Sequence, residues 1–60
     1  MNMTRIKSIL TSDREVNILY DNSLIKLEGV TENGRVVFIN LETNERMIAP
    51  ADELIEIELY

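Results

Sequence analysis

The stretch from Leu24 to Leu41 constrains the fold most, because an Asn-Gly pair lies between two apolar, alternating runs. A two-residue type I′ turn needs a positive φ at both central residues, and Asn33 and Gly34 tolerate that conformation. With these two residues as the loop, Val30 pairs with Val37 across an antiparallel ladder. The sequence therefore predicts a β-hairpin that reverses at Asn33-Gly34.

The first strand of this hairpin predicts a β-bulge. Ile25 and Leu27 have odd numbers and Val30 has an even one, so a regular strand puts them on opposite faces. One extra residue near Glu28-Gly29 brings the three to a single apolar face, and glycine is a residue type that bulges favour. The bulge also bends the strand, which suits a sheet that curves over a small core.

Size and composition limit what can stabilise the chain. Its 60 residues are enough for one domain, 1–60, with a small core. Cysteine and histidine are absent, so neither a disulfide nor a zinc site is expected. We therefore expect packing to hold the fold, with no cofactor and no small-molecule substrate. No apolar run has the length of a membrane span or a signal sequence, so a cytoplasmic protein without membrane contact is expected.

Charge is unevenly placed along the chain. Residues 1–14 carry Arg5, Lys7 and Arg14 against Asp13, a net charge of +2, while the remaining three basic and ten acidic residues give −7, for a total of −5. An acidic body repels phosphate backbones, so nucleic acid is not an expected partner. We expect the three N-terminal basic residues to be solvated or to complement an acidic sheet; steering toward an acidic partner is the alternative.

Residues 2–11 are predicted to form an amphipathic helix. Asn2 is a good N-cap residue, and apolar side chains recur on one side of the helix. Such a short helix is marginal alone and must dock on the sheet to persist. The apolar stripe consists of Met3, Ile6, Ile9 and Leu10.

Alternation between apolar and polar residues predicts five strands. They are expected at about 16–20, 24–32, 35–41, 46–49 and 55–59. A loop at Asp21-Asn22 pairs Ile18 with Ile25. A loop at Asn22-Ser23 shifts the register and also leaves one apolar face, so both remain open.

The second half of the chain continues the meander. A turn centred on Thr43-Asn44 pairs Ile39 with Ile48 on one face. Pro50 cannot donate to a ladder and is expected to end the fourth strand. A single 3₁₀ or helical turn then leads to the last strand.

This order of elements predicts an α+β fold: an N-terminal helix followed by a five-stranded antiparallel meander, as in a small SH3-like barrel. The alternative is an open antiparallel sheet with the helix on one face. On the predicted registers, six apolar residues fall opposite the hairpin core, and either the helix or a second chain must cover them. They are Leu19, Leu24, Val36, Phe38, Met47 and Ala49.

The sequence predicts no catalytic, cofactor-binding or metal-binding residues. Catalytic nucleophiles and bases occur at no recognised spacing, and the two glycines form no phosphate-binding pattern. The acidic cluster of Asp52, Glu53, Glu56 and Glu58 is a candidate divalent-cation site. We favour a simpler interpretation, in which Glu56 and Glu58 form the solvent side of the last strand.

Three aromatic residues, Tyr20, Phe38 and Tyr60, are too few and too scattered for a base-stacking platform. We expect Phe38 to be a core or helix-docking residue. A monomer is favoured, and a homodimer through the edge strand at 55–59 is the alternative. A protein-interaction module is a second functional interpretation, and a nucleic-acid binder is a third.

The chain as a whole resembles the H-type small acid-soluble spore proteins of endospore-forming bacteria. The most characteristic pieces are the start MN-x-x-R-x-K-x-I and the later VN-x-x-Y, at matching spacing and total length. It departs from that pattern at Asp21-Asn22, at Gly29 and in residues 55–60. The resemblance rests on Arg5, Lys7, Ile9, Ser12, Val16, Asn17, Tyr20, Ile25, Leu27, Val30, Glu32, Ile39, Glu45, Pro50 and Leu54.

The resemblance implies an acidic protein of the spore core, made in the forespore during sporulation and without an assigned enzymatic activity. It does not imply the role of the DNA-coating spore proteins, whose sequences are different. The chain also has no recognisable match to the site at which those proteins are cleaved in germination.

Overall fold

The computed structural model describes residues 1–12 and 16–57. A helix is followed by five strands that form one antiparallel open sheet in the order β4-β3-β2-β1-β5. This confirms the predicted α+β class. The elements are α1 (Met3–Ser12), β1 (Asn17–Tyr20), β2 (Ser23–Val30), β3 (Arg35–Asn40), β4 (Glu45–Pro50), a 3₁₀ turn (Ala51–Glu53) and β5 (Ile55–Ile57).

Helix α1 begins as the sequence predicts. The Arg5 N–H donates a 2.8 Å hydrogen bond to Asn2 Oδ1, which satisfies one of the unpaired donors of the first turn. Ile6 and Ile9 are buried against the sheet, and Met3 and Leu10 pack beside them. The predicted apolar stripe is therefore the docking face of the helix.

The first hairpin reverses at Asp21-Asn22. Both residues have positive φ, 51° and 64°, as a two-residue I′ loop requires. The ladder pairs Ile18 with Ile25, which is the first of the two predicted registers. Both of these isoleucines are buried in the core.

The second hairpin lies where it was predicted, but its loop is one residue longer. The Thr31 N–H donates to the Arg35 carbonyl at 2.8 Å, so the loop has three residues and ends at Gly34, whose φ is +78°. Asn33 does not have a positive φ. Val30 consequently pairs with Val36 and not with Val37, so the predicted register is wrong by one.

The predicted bulge is confirmed, because the register shifts between Leu27 and Gly29. The bulge and the longer loop together decide the faces of β3. A one-residue slip moves a strand's side chains to the other face, so Val36 and Phe38 point into the core beneath the helix.

The set of six residues predicted on one sheet face is therefore divided. Four of them lie on the helix-covered side, as the helix-cover interpretation required, and two lie on the opposite side. The first four are Val36, Phe38, Met47 and Ala49; the other two are Leu19 and Leu24.

The turn between β3 and β4 is also longer than predicted. Asn40 Oδ1 accepts hydrogen bonds from the backbone of Glu42 and Thr43, and Asn44 has a φ of +61°. Ile39 pairs with Arg46 and not with Ile48, a shift of two residues that keeps the side chains of β4 on the same face as their predicted β3 neighbours. Because the shift is even, it adds no further exchange of faces to the one that the second hairpin causes.

Strand β4 ends at Pro50, one residue later than predicted, and lies at one edge of the sheet while β5 lies at the other. In a flat sheet these edges would be roughly 19 Å apart, since neighbouring strands are about 4.8 Å apart. The Ala51–Glu53 turn spans only about 6 Å at the rise of a 3₁₀ helix. The sheet must therefore curl, and buried Ala51 and Leu54 fill the space between its edges. The predicted alternative of an open sheet is observed, and a closed barrel is not.

Candidate functional site

The side of the sheet opposite α1 carries an extended apolar surface, which we call the outer face. Four of its residues are half-buried, and the exposed ones include Leu41, Ile48 and Ile55, with 55%, 57% and 60% of their surface accessible. Strand alternation and the observed registers place them together. The outer face consists of Leu19, Leu24, Val37, Ile39, Leu41, Ile48, Ile55 and Ile57.

The basic residues of the five strands also lie on the outer face. Ile39 is flanked in its own row by Lys26 on β2 and Arg46 on β4, and Arg35 lies two residues before Val37 on β3. The β2–β4 part of the outer face therefore combines branched apolar side chains with cationic ends.

The bulge adds one carboxylate to this surface. Glu28 is the extra residue between Leu27 and Gly29, and its Oε1 accepts a hydrogen bond from Arg46 Nε at 3.1 Å. The pair connects β2 to β4 across β3. Arg46 remains 71% exposed in its side chain, so its charge is still presented to solvent.

Charge is unevenly distributed among the described residues. The outer face has three basic residues and Glu28, a net charge of +2. The other described residues include two basic and seven acidic side chains, a net charge of −5. The outer face is therefore a basic and apolar region on an acidic protein.

On the helix-covered side, the described residues include a well-formed ion pair. Arg5 Nε and Nη2 donate to Glu56 Oε1 and Oε2 at 3.0 and 2.8 Å, a bidentate arrangement. These hydrogen bonds lower the pKa of Glu56 and raise that of Arg5. The expectation that Glu56 lies on the solvent side is wrong, because Glu56 pairs with buried Ile18 and shares its face.

The acidic cluster predicted from sequence does not assemble in the described part of the chain. Asp52 and Glu53 are exposed on the 3₁₀ turn, and the carboxylate of Glu56 forms a salt bridge with Arg5. Glu58 lies outside the described residues. Within residues 1–12 and 16–57, no three acidic side chains come together as a metal site.

The predicted N-terminal basic residues have separate environments. Arg5 complements an acidic residue of its own sheet, as expected, whereas Lys7 is exposed on the helix. Arg14 lies outside the described residues. Phe38 is fully buried and packs against Tyr20 with the two rings tilted and their centroids 5.0 Å apart. Its predicted core role is confirmed, and neither ring is part of the outer face.

A family model matches residues 1–56 and describes the small acid-soluble spore protein H family. The chain belongs to that family. The match runs from Met1 to Glu56 in β5, so it includes both partners of the Arg5–Glu56 ion pair. No curated protein and no solved structure matches the chain.

In this member of the spore protein H family, the first residue is hydrogen-bonded to the segment between β4 and β5. The Met1 amino group donates to the carbonyl oxygens of Ala51 and Leu54 at 3.2 and 2.7 Å. In the part of the chain that the structure describes, no helix is long and apolar enough to cross a membrane.

A groove of about 560 Å³ opens between the end of α1 and the first hairpin. Polar and apolar atoms contribute about equally to its lining. Ile9 and Leu10 of α1 line it together with Leu24, Lys26 and Leu41, three residues that also belong to the outer face. Residues 13–15, which precede Val16, lie outside the described residues.

Sequence reasoning did not find the outer face as a unit. The signal was present in β3, where Val36, Val37, Phe38 and Ile39 form a continuous apolar run. Such runs are typical of strands that are covered on both sides. The clustering of the three basic residues can be recognised only from the strand registers, because these residues are far apart in sequence.

Proposed function

We propose that this small acid-soluble spore protein is a single-domain, non-enzymatic protein of the dormant spore core, made in the forespore during sporulation. The family match over residues 1–56 is the observation that carries this proposal. The non-enzymatic part is supported by the described carboxylates, which are exposed to solvent or paired with arginine and nowhere form a group of three. No cofactor or small-molecule substrate is part of the proposed role.

An antibody against the folded chain tests the compartment. Purified dormant spores are stripped of their coats, and the coat extract, the acid extract of the cores and vegetative cells are compared by immunoblotting. We expect the protein in the acid extract of the cores and not in vegetative cells. A signal confined to the coat extract, or equal amounts in vegetative cells, would contradict the proposed location.

We also propose that duplex DNA is not its partner. Binding to the duplex is driven largely by neutralisation of several phosphates by lysine and arginine, and the chain has a net charge of −5. Titration with duplex DNA at low salt is the strictest test, since electrostatic binding is strongest there. Micromolar affinity with a steep salt dependence would show that the electrostatic argument is wrong.

A monomer is the proposed state, because the β4 edge of the sheet is a poor template for strand pairing. Pro50 removes a backbone donor from that edge. Sedimentation analysis across a wide range of concentrations is expected to give the monomer mass. A concentration-independent dimer that is lost on deleting residues 55–60 would establish the edge strand as an interface.

A further inference from the structure

We propose that the outer face is a docking surface for an acidic, amphipathic helical segment of another protein. The inference goes beyond the proposed function and does not depend on the spore compartment. It rests on the composition, charge, size and curvature of this surface.

The composition is that of a covered surface. Val37 and Ile39 are half-buried by their own neighbours, while Ile48 and Ile55 present more than half of their surface to solvent. Contiguous apolar patches of several hundred Å² on a small protein mark interaction sites. Helix α1 cannot cover this side, because its apolar stripe is already buried on the other.

The charge identifies the chemistry of the partner. Lys26 and Arg46 flank Ile39 on either side, and Arg35 lies beyond Val37, so cations surround the apolar centre. Lys26 and Arg35 make no ion pair within residues 1–12 and 16–57. An apolar stripe bordered by carboxylates would bury its side chains on the centre and pair its acidic groups with these cations.

The size favours a single helix over a second copy of this chain. Five strands about 4.8 Å apart, with β3 and β4 six residues long, give a surface of at most roughly 20 by 20 Å. A helix of about 13 residues spans that length at 1.5 Å per residue. A stable dimer buries about 800 Å² of accessible surface on each partner, so two copies would need to bring essentially this whole face into contact.

Curvature and charge give the same preference. The sheet curls around the core, so the outer face is convex, and two convex faces touch over only part of their area. Face-to-face pairing would also bring together two surfaces of net charge +2. A flat bilayer surface meets the same geometric limit, whereas a helix about 10 Å wide needs contact only along one line of the face.

The test uses the whole chain and two synthetic helical peptides of about 14 residues. Both have the same leucine stripe; one has glutamate at the flanking positions and the other has lysine at those positions. Binding is followed by the amide signals of the isotopically labelled protein at low salt. We expect the glutamate peptide to bind with a Kd below about 100 μM, at least about tenfold more tightly than the lysine peptide.

The shifted signals are expected at Lys26, Val37, Ile39 and Ile48, with those of Ile6 and Ile9 unchanged. Absence of binding at a peptide concentration of about 1 mM, or equal binding of the two peptides, would overturn the proposal. Shifts confined to the helix side would do so as well.

Matched lysine variants locate the binding surface. Lys26→Glu and Lys7→Glu make the same charge change at two exposed residues, one on the outer face and one on α1. Lys26→Glu is expected to weaken binding of the glutamate peptide at least about fivefold, while Lys7→Glu leaves the affinity for that peptide unchanged. Equal losses of affinity in the two variants would show that only the net charge matters and would contradict a specific site.

Two further measurements exclude other occupants. Vesicles of phosphatidylglycerol and concentrated protein without peptide are examined for shifts at the same residues. Tighter engagement of the vesicles would reassign the surface to anionic lipid. Concentration-dependent shifts at Ile48 would reassign it to a second copy, and either result would replace the proposed partner.

Discussion

The two faces of this sheet have similar apolar side chains, but only one face is covered. Beneath α1, Phe38 and Val36 are fully buried, and one arginine–carboxylate pair closes the side of the core. On the outer face, branched side chains of the same kinds meet solvent beside three basic residues. The inner face therefore holds the fold together, while the outer face is available for another role.

The largest expected effect is on the inner face. Phe38→Ala removes a fully buried ring and should cost about 3–5 kcal/mol, comparable to the whole stability of a domain of this size. Urea titration followed by circular dichroism should show a largely unfolded chain. Phe38→Leu, which keeps most of the volume, is the control and should remain folded. A cooperative transition in Phe38→Ala that shifts by less than about 1 kcal/mol would show that the inner face is not the main source of stability.

The next effect tests what decides the two faces, which is the loop before β3. Gly34→Val places a β-branched residue at a φ of +78° and should cost at least about 1–2 kcal/mol. Asn33→Val should be nearly neutral, because Asn33 has no positive φ in the three-residue loop. Equal costs at the two positions would indicate a two-residue loop and the opposite assignment of faces.

Gly29→Ala is the matched glycine control. Gly29 does not have a positive φ, and an added Cβ meets nothing within 4 Å. The free energy of unfolding of the Gly29→Ala variant should differ from that of the wild type by less than about 0.5 kcal/mol in thermal or urea unfolding. A loss as large as that of Gly34→Val would mean that the bulge itself requires glycine.

A smaller effect is expected from acid. Because Arg5 lowers the pKa of Glu56 in the folded state, the ion pair stabilises the protein above the ordinary carboxyl pKa and is lost as the pH falls through the lowered value. Glu56→Gln should lower the Tm by a few degrees at pH 7 and by progressively less below about pH 4.5. Glu53→Gln, on the exposed 3₁₀ turn, should follow the wild type throughout. A Tm difference for Glu56→Gln that is the same at about pH 2 and pH 7 would contradict the assigned role of the pair.

The smallest effect on stability is expected on the outer face. Ile48→Ala removes a side chain that is 57% exposed, so the free energy of unfolding should change by less than about 0.5 kcal/mol. Thermal unfolding measured alongside Phe38→Ala gives the sharpest comparison of the two faces. A loss of several kcal/mol at Ile48 would mean that the outer face also belongs to the core.

Much of the fold could be predicted because short-range signals are strong in this chain. Asn2 caps the helix, and the odd-to-even change between Leu27 and Val30 locates the bulge. For the first loop, the sequence left two registers, and the structure has the one with the loop at Asp21-Asn22. The length of the second loop was wrong because Asn-Gly fits both a two-residue I′ turn and a three-residue turn that ends in left-handed glycine. Nothing in the residues themselves distinguishes the two loops before the ladder forms.

The last strand shows why the candidate site was less predictable. Strict alternation in Ile55-Glu56-Ile57 indicates two different faces but does not identify which one is inside. The simple rule that carboxylates face water fails here because Arg5, far away in sequence, accompanies Glu56. The same non-local placement turns Ile55 and Ile57 outward and enlarges the apolar outer face.

The strand order also has a consequence for how the chain folds. Strands β1 to β4 pair as three hairpins between sequence neighbours, whereas β5 returns to pair Ile57 with Asn17, and Met1 contacts Leu54. Closing that long loop costs the most chain entropy, and non-local ladders form slowly. Substitutions between β1 and β5 should therefore alter the folding rate differently from those within a hairpin. During synthesis, the meander can assemble on the ribosome, but the sheet is completed only after residue 57 has emerged.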